Sequence, residues 1–131
     1  MISVDLAARL RAAGLSWRPR SGDRFHIPDR SLDEETFLIA DLSVYVTTLA
    51  DGIGAINFNG TSEWAMDYIL TQDVVWLPTE SQLREELGSR FGGLVPVEGG
   101  FRCAIDDGRD FEAASAADAY GTALLAVLEG P

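Results

Sequence analysis

The chain has 131 residues, of which 47% are hydrophobic, and its formal net charge is −11 at pH 7. This length and composition suit one folded domain, residues 1–131, with a core of its own, and they exclude a disordered chain. The ten basic residues form no run, which argues against binding to nucleic acid or to an anionic membrane surface.

The sequence also bears on the compartment. The segment Met1–Leu6 lacks the basic and apolar regions of a signal peptide, and no apolar run approaches the ~20 residues of a membrane span. Cys103 is the only cysteine, so an intramolecular disulfide is impossible. We therefore predict a cytoplasmic protein that does not enter the membrane.

The first predicted element is a helix over residues 3–13. Ser3 is a good N-cap, Leu6 and Leu10 recur at helical spacing, and Gly14 is suited to the left-handed position that ends a helix. A turn-rich segment follows, and the polar–apolar alternation of residues 24–27 predicts a short strand.

β-branched and aromatic residues predict strands over residues 36–40 and 43–49. Both faces of the second strand are partly apolar, which favours a central position in a sheet. Asp51-Gly52 is a hairpin signal, and residues 53–58 form the returning strand. Gly54 within that strand indicates a bulge or a close approach of another group to the backbone.

A second helix is predicted after the turn Asn59–Ser62, with Thr61 as its N-cap and Glu63 in its first turn. Its apolar stripe is wide, which predicts a heavily buried helix: Trp64, Ala65, Tyr68 and Ile69.

Residues 74–87 predict a buried strand, a proline stop and a third helix. Thr79 and Gln82 have the spacing of a capping box, and the helix ends at Gly88 or at the pair Gly92-Gly93.

A β-meander is predicted next, and a last helix over residues 115–128 follows it, with Ser115 as N-cap. The three strands of the meander are residues 94–98, 101–106 and 109–112. Together these elements predict a single α+β domain, in which an antiparallel sheet, built from a hairpin and the meander, is packed with about four helices.

The sequence predicts no catalytic residue, metal site or cofactor. His26 and Cys103 are the only residues of their types, and Cys103 lies on the inward-facing set of its strand, where burial makes a thiol inert. The acidic segment Asp106–Asp110 lacks the spacing of a calcium loop and predicts a solvated turn.

The weak binding candidates are polar residues at the start of the second helix and three tryptophans. The backbone N–H groups at Asn59–Ser62 could bind an anion, although Glu63 opposes one and capping is the favoured interpretation. Trp64 and Trp76 are favoured as core residues, whereas Trp17 could form a half-exposed lid. The full set of binding candidates is Asn59, Thr61, Glu63, Trp64, Trp76 and Trp17.

Three segments resemble a family of small actinobacterial proteins that are often labelled pilus assembly proteins. They are Gly22–Phe25 with Ile27–Asp29, then Phe58–Ala65, and then Trp76–Pro78 with Gln82-Leu83. The pilus-assembly ATPases of that name are larger and carry a phosphate-binding loop, which this chain lacks. The resemblance implies a compact cytoplasmic bacterial domain and no catalytic residue.

These observations favour a non-enzymatic binding or adaptor module whose partner is another protein or a second copy of the chain. One alternative is a small enzyme or small-molecule binder with a carboxylate-containing cleft near Asn59–Trp64. The other, from the family label, is an accessory component of a pilus or secretion system.

Overall fold

The computed structural model describes residues 1–28, 36–39, 44–50, 52–58 and 68–130. The chain divides into two compact units, one made of Met1–Ser16 with Leu77–Pro131 and the other of Trp17–Trp76. The predicted α+β class is confirmed. One domain over residues 1–131 stays a prediction.

The described residues contain three α-helices, rather than about four, and nine strands. In chain order they are α1 (Val4–Ala12), β1 (Arg24–His26), β2 (Thr36–Leu38), β3 (Val44–Thr48), β4 (Gly54–Phe58), β5 (Tyr68–Leu70), β6 (Val75–Leu77), α2 (Glu80–Leu87), β7 (Phe91–Val97), β8 (Gly100–Ile105), β9 (Asp110–Ala113) and α3 (Ala116–Glu129).

All three helices begin at the N-cap that their sequence predicts. The Ser3 hydroxyl accepts from the Leu6 N–H, and the Ser115 hydroxyl accepts from the Asp118 N–H at 3.1 Å. At α2 the capping box is complete, because Thr79 and Gln82 each accept the other's backbone N–H, at 3.2 and 2.9 Å between donor and acceptor.

Glycines end the first two helices. Gly14 has φ +107°, and the Gly14 and Leu15 N–H groups donate to the carbonyls of Arg11 and Leu10, as in a Schellman motif. Gly88, with φ +55°, ends α2. The alternative end at Gly92-Gly93 is wrong, because those residues belong to β7, which begins three residues earlier than predicted.

The first unit contains one antiparallel sheet of order β7-β8-β9, and α3 packs on it. The predicted meander is therefore confirmed. The helix α3 packs on β8, β9, α1 and α2. The core of this unit is aliphatic, and its buried members include Leu6, Leu10, Leu83, Leu87, Cys103, Ile105, Ala123 and Leu124.

The helices α1 and α3 run in parallel, as three contacts along them show. The Ser3 N–H donates to Asp118 Oδ1 at 2.8 Å, near the start of both helices. The second contact is at Gly121, about one turn further along α3, where an added Cβ would lie 2.8 Å from Leu6 Cδ2. A glycine at this position therefore lets the two helices approach closely. Arg9 and Leu125 then line the same groove near the ends.

The second unit contains two three-stranded sheets, of orders β2-β1-β6 and β3-β4-β5. The hairpin predicted at Asp51-Gly52 is confirmed, because β3 and β4 are antiparallel and Gly52, with φ +87°, lies between them. The central position predicted for residues 43–49 is wrong. Among the described strands β3 lies at an edge, and β4, with Ala55 and Ile56 fully buried, is central. Gly54 does meet a close neighbour, the Thr71 side chain, 2.9 Å from where a Cβ would lie.

The predicted second helix is contradicted at its end. Residues 68–70 form strand β5, which pairs with β4 through Asn57↔Tyr68 and Ala55↔Leu70. The reason is tertiary, since the hydrogen-bonding edge of β4 offers these β-prone residues a ladder partner that a local helical pattern does not reveal. Residues 61–67 of that helix lie outside the described residues.

The second unit's core is a cluster of five buried residues: Phe25, Ile27, Ile39, Ile56 and Val74. Trp17, Phe37 and Val46 are partly buried and pack against it. Two of these contacts are aromatic, because the Phe25 ring lies 5.6 Å from Phe37 and 5.9 Å from Trp17 between centroids. This cluster supports the candidate site.

Candidate functional site

The structure describes two of the six predicted binding residues. Asn59, Thr61, Glu63 and Trp64 lie outside the described residues, and with them the predicted cleft. Trp17 and Trp76 are described, and they lie together although the sequence treats them as unrelated.

Trp17 and Trp76 form a stacked pair. Their ring centroids are 6.5 Å apart, and the rings are within 11° of parallel. Both residues are half-buried, so each is held by the core and keeps part of its surface in solvent. Aromatic pairs of this kind contribute about 0.5–1.5 kcal/mol beyond the area that they bury.

A buried carboxylate holds Trp17 in place. Asp23 is only 4% exposed, and its Oδ2 accepts from Trp17 Nε1 at 2.9 Å and from the Arg20 N–H at 3.1 Å. The Asp23 backbone is itself fixed, because its carbonyl accepts from the Ile39 N–H at 2.8 Å. This anchorage gives Trp17 a fixed, partly exposed position on the core, and its role as a lid stays a prediction.

Trp76 is less buried than predicted because of the strand on which it lies. In β6 the burial pattern places Val75 and Leu77 in the interior, and a strand points successive side chains to opposite faces. Trp76 therefore faces Trp17. Its Nε1 is inaccessible to solvent and has no hydrogen-bond partner among the described residues, a state that costs about 1–3 kcal/mol.

The thiol and the imidazole lie in separate sheets. Cys103, in β8, is fully buried, and that burial raises the pKa of its thiol, as predicted for an inert core cysteine. His26, in β1, is 5% exposed.

The acidic turn Asp106–Asp110 is a charge-paired hairpin turn. Arg90 Nε lies 2.6 Å from Asp106 Oδ1, and the Arg109 N–H and Nε donate to the two oxygens of Asp107 at 2.9 and 2.8 Å. The Arg109 backbone hydrogen bond is the main cause that lowers the pKa of Asp107. Within the part of the chain that is described, no group of three His, Cys, Asp or Glu side chains could hold a metal ion.

Several residues of the three segments compared with that family stabilise the fold. Asp23 and Phe25 belong to the tryptophan anchor and the core, Leu77 is buried, and Gln82 closes the capping box. Asp23 is not among the binding residues predicted from the sequence. Its only signal was a Gly-Asp turn before an apolar strand, which predicts a turn and not a partner for Trp17.

No protein-family model matches the chain, and no curated protein or solved structure is significantly similar to it. Among the residues described, no helix has the length and apolar character to cross a membrane.

Proposed function

We propose that this protein is a non-enzymatic binding or adaptor module, and that the Trp17–Trp76 pair is part of the surface that meets its protein partner. The stacked, half-exposed pair carries the proposal. Tryptophan is enriched at the residues that dominate protein–protein affinity, and these residues cluster on well-packed surfaces.

The anchorage by Asp23 supports this role because it lowers the cost of binding. Ordering a rotamer-rich side chain at an interface costs about 0.5–1.5 kcal/mol. Trp17 is already ordered through its indole hydrogen bond and its contact with Phe25. The tryptophan surface is therefore available without that cost.

The charge and the chemistry of the described side chains agree with this proposal. A net charge of −11 favours rapid association with a basic partner. Cys103 is buried away from any substrate, and Asp106 and Asp107 are paired with arginines. We place the module in the cytoplasm, where a lone cysteine stays reduced.

Affinity capture from an extract of the source organism, followed by light scattering of the purified protein, tests the proposal. We expect a partner or a self-association that Trp17→Ala and Trp76→Ala each weaken at least ~10-fold, because each removes a central aromatic contact. Phe111→Ala is the matched control, since it truncates a half-buried aromatic residue in the other unit.

Circular dichroism must show that each variant is folded. Trp76→Phe adds a second check because it keeps an aromatic ring for stacking and removes the unpartnered N–H. A monomer that captures nothing would contradict the proposal. A partner that binds both alanine variants as tightly as the wild type would also contradict it.

A further inference from the structure

A groove of about 320 Å³ lies where α1 and α3 end side by side. It is lined by six residues: Arg9, Ala12, Ala13, Leu125, Leu128 and Glu129. Its volume is within the range of pockets that hold a small ligand or one side chain of a partner. The alanines and leucines form the apolar part of its wall, and one cation and one anion flank that part.

Neither charged side chain of the groove forms an ion pair with a described residue. Among the described residues, no carboxylate pairs with Arg9 and no cation pairs with Glu129. The arginines of the acidic turn differ, because Arg90 and Arg109 are both paired. Within the described part of the chain, both charges of the groove are therefore left for a ligand to pair with.

Helix electrostatics make the α3 side of the groove favour a cation. Each helix has a partial negative charge, about half an elementary charge, at its C-terminal end, and the parallel arrangement brings two such ends together. The last turn of α1 contains Arg9 and Arg11, which oppose that charge. The last turn of α3 contains no basic residue and ends on Glu129, which adds to it.

Backbone acceptors occur at the same place. The carbonyls of Ala126 and Val127 accept from the Gly130 N–H, whereas those of Leu128 and Glu129 accept from no described residue. The carbonyl of Ala13, which follows the last residue of α1, is equally without a described donor. An ammonium group has three N–H donors and no acceptor, which matches a site rich in acceptors.

We propose that this groove binds the lysine side chain of another polypeptide, with the aliphatic stem against Leu125 and Leu128 and the ammonium group near Glu129. A lysine stem commonly lies on apolar surface while its charged end stays polar. The ten basic residues of this chain are all arginine, so the lysine must come from a different molecule. The proposal is independent of the tryptophan pair.

Titration followed by amide NMR shifts of Ala12, Ala13, Leu128 and Glu129 tests the site with four probes: pentylammonium, methylammonium, pentanol and pentanoate. We expect pentylammonium to bind most tightly, because it alone combines the charge with the apolar stem. Methylammonium binding as tightly as pentylammonium would overturn the role of the leucines. Pentanoate binding most tightly would overturn the choice of a cation.

Two variants give opposite expected signs. Glu129→Gln should weaken pentylammonium binding by about two- to fivefold, the size expected for an exposed ion pair, and Arg9→Gln should strengthen it by a similar factor. The matched controls are Glu98→Gln and Arg18→Gln, which change the net charge equally at exposed positions outside the groove. Equal effects in variants and controls would show only a long-range field and would contradict the site.

The source of the ammonium group is tested with N-acetyl-lysinamide against N-acetyl-norleucinamide, which lacks the ammonium. We expect only the lysine compound to shift the four groove amides. If pentylammonium shifts them and the lysine compound does not, the ligand is a free amine and the proposed source is wrong. If no probe shifts them, the groove binds no alkylammonium group and the proposal fails.

Discussion

At the scale of single residues, Asp107 links a local hydrogen-bond pattern to pH dependence. The bonds from the Arg109 N–H and Nε keep its pKa below the ordinary value of 3.8. Because the folded-state pKa is lowered, the stabilising contribution is present above 3.8 and is lost as the pH falls through the folded-state pKa.

We therefore expect Asp107→Asn to lower the midpoint of urea unfolding at pH 6. The difference from the wild type should shrink as the pH falls below 3.8, because the carboxyl binds a proton first in the unfolded chain and, at lower pH, in the folded protein as well. Asp110→Asn is the control, because it removes a charge from the same hairpin without removing an ion pair. A difference of the same size at pH 6 and pH 2.5 would contradict this account.

At the scale of elements, the start of α2 depends on reciprocal capping between Thr79 and Gln82. Thr79→Ala leaves the Gln82 N–H without its acceptor, and we expect a loss of about 0.5–2 kcal/mol in the free energy of unfolding. Chemical denaturation measures this loss. Thr79→Ser keeps the hydroxyl and should retain most of the stability, so equal losses for the two substitutions would rule out capping as the cause.

The elements also show which parts of the fold depend on local signals. Ser3, Thr79 and Ser115 start helices through bonds to residues three positions away, so these starts could be read along the chain. Strand β5 could not, because its conformation depends on pairing with β4 across residues 59–67. A local apolar stripe predicted a helix there, and the ladder partner determined the strand.

At the scale of the whole molecule, Cys103 reports on the opening of the core around β8. It is fully buried, and burial raises the pKa of its thiol, so both access and thiolate formation are suppressed in the folded state. We expect a thiol reagent such as dithionitrobenzoate to label the native protein at least ~100-fold more slowly than the protein in 6 M urea.

The concentration of urea that allows labelling should coincide with the midpoint seen by circular dichroism. Because Cys103 is the only cysteine, the labelled site is unambiguous. Rapid labelling in the absence of urea would mean that the thiol is accessible in the native protein. The prediction that Cys103 is an inert core residue would then be wrong.

The candidate sites, too, depend partly on local sequence and partly on tertiary contacts. The sequence selected Trp17 and Trp76 as large aromatic residues, but it assigned one to a lid and the other to the core. Their stacking appears only when β1 and β6 lie in one sheet, and the Asp23 hydrogen bond to Trp17 appears only in the folded turn before β1. The groove at Arg9 and Glu129 has no signal along the chain, because its two sides come from opposite ends of the sequence.

The sequence by itself determined the α+β class, the helix starts, the hairpin at Gly52 and the buried position of Cys103. Caps, turns and alternation depend on residues within a few positions of each other, and the chain alone specifies those. Only the tertiary structure decided that residues 68–70 form a strand, that β4 is central, that the two tryptophans stack, and that α1 and α3 end together. These features depend on distant segments that satisfy each other's hydrogen bonds and bury each other's side chains, and no local pattern encodes that choice.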